Sequence, residues 1–307
     1  MNLTLAYEPT DSGIHRLNPF VMIAWVTSIV IASMVVRHPV LLLAVCLTTV
    51  PIAYAARVVP RWSAMMKYVL WMSVAIVVIN IVVSQQGSHV ILEAAFRLPL
   101  IGTPRLTLEA LAFGGAMAVR LAAIISAFTL LNLCVHPDDL MRAAIKLRLP
   151  YRSVLVTSLS TRFIPVLMAD ARTISDVQRS RGLAFDKGGL VERIRNGGAL
   201  ILPLLSNSLD RAVQIAEAME SRAYGAHVRR TFYRDRSMGV GDTAAVVVLL
   251  GGTALLAVAH VLGHGGYEYY PTLGGLSMSP ALWLGFALLI VTVLAVIVAG
   301  VATEERS

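Results

Sequence analysis

The chain has 307 residues, 57% of them hydrophobic and 14% charged, with a mean hydropathy of +0.72. Ordinary soluble domains carry about 25% charged residues, so the composition excludes a soluble globular protein and points to an integral membrane protein. Net charge is +8 and the isoelectric point about 9.9. A basic balance can mark a nucleic-acid binder, but here the bases cluster between apolar segments, as the positive-inside rule describes, and no nucleic-acid partner is expected.

The polar segment 1–18 shows no apolar core of a cleavable signal peptide. Apolar segments follow at 20–36, 40–56, 68–84, 108–133, 243–262 and 281–302. Each is near the roughly 20 residues that cross about 30 Å of hydrocarbon. The expected fold is an all-α integral membrane protein of about six transmembrane helices plus a cytoplasmic module of two long amphipathic helices. Four spans fall in 1–135, the module in 136–239 and two spans in 240–307. Cys46 and Cys134 sit in or at the end of apolar runs, offer no disulfide framework or metal spacing, and read as small core residues.

Orientation follows from charge. Seventeen of the 26 Lys and Arg lie in 136–237, which places the module and, with six spans, both termini in the cytoplasm. A basic loop at 57–67, with Arg57, Arg61 and Lys67, is expected inside. The 85–107 loop and Tyr267-Glu268-Tyr269-Tyr270 are expected outside, the tyrosines as an interfacial aromatic belt. Arg37, on a short outer turn, is the one awkward charge.

Within the module, Pro137-Asp138-Asp139 opens a short helix, with proline in the first turn and acids at the positive dipole end. A long helix over 151–181 shows an apolar face of Val156, Leu159, Phe163, Leu167, Ala171, Ile174 and Val177, with a kink expected at Pro165. Gly188-Gly189 and Gly197-Gly198 are expected to mark loops around a small turn at 190–195. A second long helix over 199–224 shows Leu202, Leu205, Leu209, Ala212, Ala216 and Met219 on one face. The two helices end alike, in Ser180-Arg181-Gly182 and Ser221-Arg222-Ala223, with Gln178 and Glu220 in the turns before. Arginine in a last turn complements the helix dipole, and small residues are ordinary helix stops. The doubling favours more: two guanidiniums at helix tips, matched to carboxylates of a two-lobed cytosolic partner.

These motifs resemble the transmembrane (T) component of energy-coupling factor transporters, a family that includes the permease subunit of cobalt-type uptake systems. His15-Arg16-Leu17-Asn18-Pro19 is similar to its His-Arg-Leu-Asp-Pro, with Asn for Asp. Arg162-Phe163-Ile164-Pro165 with residues 176–182, and Pro203-Leu204-Leu205 with residues 216–225, resemble its two coupling helices. Ser180 replaces the family's Ala, and Ala223 its commoner Gly. Arg230-Thr231 is similar to the Arg-Thr that follows. The resemblance implies a non-enzymatic subunit without cofactor or substrate site. Two cytosolic ATP-binding cassette ATPases would grip the coupling helices through Arg181 and Arg222, and a small membrane S component would bind a vitamin or metal ion. The bacterial-type inner membrane is the implied location. Independently, no G-x-x-x-x-G-K-[ST] occurs, so no phosphate-cradling P-loop is present.

Arg120 lies inside the fourth span. A central arginine costs about 2.5–3.5 kcal/mol on insertion scales, so it should face protein, water or a partner, and a supporting structural role at the junction with the coupling helices is expected. His260 and His264 have a helical metal spacing but supply only two ligands, so no metal is expected. Gly114-Gly115 and Ala118 predict close helix packing. The alternative is a stand-alone secondary transporter, which wants ionisable residues near the midplane and broken helices; apart from Arg120 the spans lack them. A membrane-embedded enzyme acting on lipid would need a cluster of acids, histidines or a nucleophile; His136, Asp138 and Asp139 are the only such group, and helix capping explains the acids.

Overall fold

The computed structural model describes residues 10, 12–84, 87–93, 105–146, 150–182, 190–225, 238–262, 266–271, 274 and 280–304. In chain order these form α1 (Pro19–Val35), α2 (Pro39–Leu47), α3 (Thr49–Ala55), α4 (Val59–Val83), β1 (Val90–Glu93), β2 (Arg105–Thr107), α5 (Leu108–Cys134), α6 (Pro137–Lys146), α7 (Tyr151–Ser180), α8 (Leu190–Ser221), α9 (Val240–Val261) and α10 (Pro280–Glu304). The chain is an all-α multi-pass membrane protein in which, among the described residues, β1 and β2 form one short antiparallel strand pair. By length and composition α4, α5, α9, α10 and residues 152–180 of α7 could each cross a membrane, while α1 and α2–α3 are apolar but shorter. Two compact units emerge: Met1–Ala143 with Arg236–Ser307, and Ala144–Asp235.

The first unit is built on α1. Asn18 Oδ1 accepts the Phe20 N–H at 3.1 Å, and Pro19 opens the helix, so the chain enters α1 with a capped N-terminus. The preceding turn is tight and buried: Arg16 and Leu17 N–H donate to the carbonyls three residues back, and Ser12 Oγ lies 2.7 Å from His15 Nδ1. It rests on α10, where a methyl on Gly300 would come within 3.7 Å of Ile14. Trp25, Met22 and Ile29 of α1 are fully buried with Leu42, Leu130 and Leu249 of α2, α5 and α9. Several polar side chains between helices are paired, as apolar surroundings favour, while Trp25 Nε1 and Ser33 Oγ are buried with no partner among the described residues. Ser28 Oγ donates to Leu249 O at 3.2 Å. Trp62 Nε1 donates to Ser126 Oγ, which donates to Thr49 Oγ1, each at 2.8 Å.

Close packing occurs where small residues were expected. A methyl on Gly114 would lie 3.2 Å from Val77 Cα, so α4 and α5 approach to backbone distance; Gly115 faces no such neighbour.

Four expectations are corrected. The second apolar segment is not one helix: it breaks at Thr48 between α2 and α3, just before Pro51, which lacks the N–H needed to continue the ladder. The Thr48 and Thr49 hydroxyls donate to Val45 and Cys46 carbonyls there. The basic loop is confined to the α3–α4 corner: α4 starts at Val59, so Arg61 and Lys67 are helical. Gly197-Gly198 do not mark a loop, because α8 runs unbroken from Leu190 through both glycines. The tyrosines do not form a belt. Tyr267 and Tyr269 are buried, with Tyr267 edge-on to His38 (5.3 Å) and Tyr269 edge-on to Phe113 (5.5 Å). Tyr269 donates its hydroxyl to Arg37 O at 2.7 Å. Burial, then the neighbouring Tyr267, pushes its pKa up to about 12 against a smaller opposing pull from Arg120.

Arg120 explains its own presence. Its Nε donates to Ser33 O at 2.7 Å and one terminal nitrogen to Val36 O at 2.9 Å. These are carbonyls at the C-terminal end of α1, which lacks a basic residue of its own there, so the guanidinium satisfies open acceptors and the negative dipole end together. The remaining terminal nitrogen donates to Met117 Sδ on α5 itself at 3.4 Å. The buried Glu109, in the first turn of α5, is held by the Ser88 hydroxyl and by the His89 N–H and Nδ1, at 3.1, 3.2 and 2.8 Å.

In the second unit α7 packs on α8. Asp170 and Arg211 pair at 2.9 Å, and the Arg211 guanidinium lies 5.9 Å from the Phe163 ring. Half-buried Leu204, Ser208, Arg211, Ile215 and Met219 recur at three- and four-residue steps, and since Arg211 reaches Asp170, this face of α8 is the one turned to α7. The apolar face expected from the sequence is therefore mostly open: Leu202, Leu205 and Leu209 are 73%, 64% and 65% exposed.

Candidate coupling site

The ends of α7 and α8 share one geometry. After Ser180, Arg181 takes φ −87° and ψ 7°, and Gly182 turns left-handed at φ +90°. The Gly182 N–H donates to Arg179 O at 3.0 Å. After Ser221 and Arg222, Ala223 turns left-handed at φ +55°. The Ala223 N–H donates to Glu220 O at 2.8 Å and the Tyr224 N–H to Met219 O at 2.9 Å. Such back-bonds around a left-handed residue close the last carbonyls of a helix.

Each position in the triplet therefore has a distinct place. The serine is the last helical residue, the arginine the cap, and the small residue the reversal. Ser180 Oγ donates to Val177 O at 2.7 Å and Ser221 Oγ to Ala218 O at 3.0 Å. Gln178 and Glu220 enter through their carbonyls, which accept the Arg181 and Ala223 N–H. Because the chain reverses immediately afterwards, Arg181 and Arg222 are exposed at the tips, and among the described residues neither guanidinium has a hydrogen-bond or ion-pair partner.

Among the described residues no three His, Cys, Asp or Glu side chains group as metal ligands. His260 is on α9, and His264 lies outside the described residues. His136 Nδ1 accepts the Asp138 N–H at 3.1 Å, and Asp139 pairs with Arg142 at 3.2 Å, so that cluster caps and braces α6.

The cobalt transport protein family model, CbiQ, matches residues 10–233. The chain belongs to this family. It is 31% identical over 253 residues to the energy-coupling factor transporter transmembrane protein EcfT of Bacillus selenitireducens, covering 80% of this chain and 91% of that one. Its counterparts in Bacillus subtilis and Streptococcus thermophilus are 29% and 26% identical, covering 81% and 80% of this chain and 95% and 93% of theirs. The family's T component is thus matched across both the capped start of α1 and the paired tips of α7 and α8. The left-handed position at 223 was legible in the sequence only as a departure from the family's glycine; the strain it carries needed the backbone.

Proposed function

We propose that this T component couples ATP hydrolysis in two cytosolic ATP-binding cassette subunits to uptake of a vitamin or transition-metal ion bound by a small membrane S component. The chain itself is non-catalytic. Residues 136–239 form the cytoplasmic module, both termini are cytoplasmic, and the protein resides in a bacterial-type inner membrane. The observation that carries this reading is the matched pair of helix tips presenting Arg181 and Arg222, exposed and unpaired among the described residues. Guanidinium is always charged and engages carboxylates through a planar fork, so each tip is a handle for one ATPase lobe. The charges along α7, Arg152, Arg162, Asp170, Arg172, Asp176 and Arg179, favour a cytoplasmic place for it despite its length. The open leucine face of α8 supplies a contiguous apolar surface of the kind that marks an interaction site, here for the S component.

Truncating one partner of a desolvated interfacial charge pair typically costs about 2–5 kcal/mol, whereas an exposed helix-end charge is worth about 0.3–1 kcal/mol. Arg181→Ala and Arg222→Ala should each weaken ATPase co-purification and uptake, the double variant more so, and the Lys variants should rescue partly. Near-normal assembly and uptake in the double alanine protein would reduce the arginines to helix-end charges.

A further inference from the structure

A third arginine-bearing reversal lies in the first unit, at the α3–α4 corner. The Arg57 N–H donates to Tyr54 O at 3.0 Å and the Val58 N–H to Ala53 O at 3.2 Å, with Arg57 itself left-handed at φ +57°. This is the same helix ending as at α8, and its reversal position is where glycine sits without strain. A bulky side chain held in that backbone is an outlier that asks for a function. Nothing described within the chain uses it: the Arg57 side chain is exposed and has no partner among the described residues. In the sequence no Asp or Glu occurs between Asp11 and Glu93, while Arg57 and Arg61 stand at the corner and Lys67 lies about two turns beyond Arg61 on α4.

The surroundings define what anion the Arg57 guanidinium could meet. The corner joins two apolar helices; Tyr54 stands exposed one turn before Arg57, and Tyr68 is exposed about 13 Å along α4, as amphipathic rings are at headgroup level. Arg61 and Tyr68, seven residues apart on α4, share a face. We propose that the α3–α4 corner binds the phosphate of an anionic phospholipid headgroup, with Arg57 as its principal contact, Arg61 and Lys67 adding field, and the tyrosines fixing depth. The leaflet it samples rests on the orientation proposed above; the binding itself does not.

The test is native mass spectrometry of the full-length protein in detergent, titrated with phosphatidylglycerol, phosphatidylcholine or inorganic phosphate. Wild type should retain phosphatidylglycerol over phosphatidylcholine, and inorganic phosphate should not displace it. Arg57→Gly relieves the backbone, so the lipid-free protein should unfold at an equal or higher temperature while phosphatidylglycerol affinity falls about fivefold, the weight of one basic residue near an anionic surface. Arg57→Glu keeps the side-chain bulk, reverses the charge and should abolish the preference. Unchanged phosphatidylglycerol binding in Arg57→Gly overturns the proposal. So does equal retention of phosphatidylcholine, displacement by free phosphate, or a loss of ATPase co-purification with lipid binding intact. Labelling of a cysteine placed at 57 from either side of intact cells reads the leaflet separately.

Discussion

At the scale of single residues, the left-handed positions carry the most information. Gly182 and Ala223 do the same job at equivalent places, but only the glycine does it freely, since a left-handed backbone costs an L-residue roughly 1–2 kcal/mol. Ala223→Gly should therefore tighten the end of α8 by about 1 kcal/mol, read as slower amide hydrogen exchange at 223 and 224. Gly182→Ala should loosen α7 by a similar amount. If these residues act by aiming the arginines, Gly182→Ala should reduce ATPase co-purification without changing membrane insertion, whereas Ala223→Gly should leave it intact or improved. Equal exchange and equal co-purification in all three proteins would remove the positioning role.

At the scale of elements, the α7–α8 pair is held by modest forces. The Arg211–Asp170 pair is partly exposed, so the ion pair alone is worth about 0–1 kcal/mol; the Phe163 ring under the guanidinium adds about 0.5–1 kcal/mol. Arg211→Ala should let the two tips move independently without unfolding either helix. A spin-label distance between 178 and 219 that broadens in Arg211→Ala, with unchanged helical circular dichroism, is the expected result; an unchanged distance distribution would show that apolar contacts hold the pair. Leu205→Gln and Leu209→Gln, on the open face, should leave that distance unchanged and the protein at least as soluble. If that face seats the S component, they should still reduce its co-purification.

At the scale of the molecule, Arg120 ties α5 to the end of α1, and Tyr269 fastens the same turn through Arg37 O. Removing the guanidinium exposes two carbonyls of α1 to an apolar setting, and hydrogen bonds to charged groups contribute about 1.5–3 kcal/mol. Arg120→Leu should lower the unfolding temperature in detergent by several degrees and Tyr269→Phe by less, because only one neutral bond is lost. Retention of full stability in Arg120→Leu would leave the cost of burying the charge unexplained. Accessibility of 57 and 181 from the cytoplasm and of 268 from outside checks the orientation; external labelling at 181 would overturn the coupling proposal.

Local sequence sufficed for whatever depends on spacing and on the solvent of each segment: the apolar helices, the charged stretch between them, the start of α1 at Asn18-Pro19, the two Ser-Arg-small endings and the close approach at Gly114. Tertiary structure decided the rest. Periodicity marks which positions of α8 are apolar, but not which half of a wide stripe meets α7, and the pairing of Arg211 with Asp170 turned Leu202, Leu205 and Leu209 outward. Glycine propensity argued for a break at 197–198, yet two residues' preference, about 1 kcal/mol each, is small beside the cooperative ladder of a long helix. The burial of Tyr267 and Tyr269, and the reach of Arg120 from α5 to Ser33 and Val36, join residues far apart in the chain, and no local pattern encodes which distant carbonyl a side chain will meet.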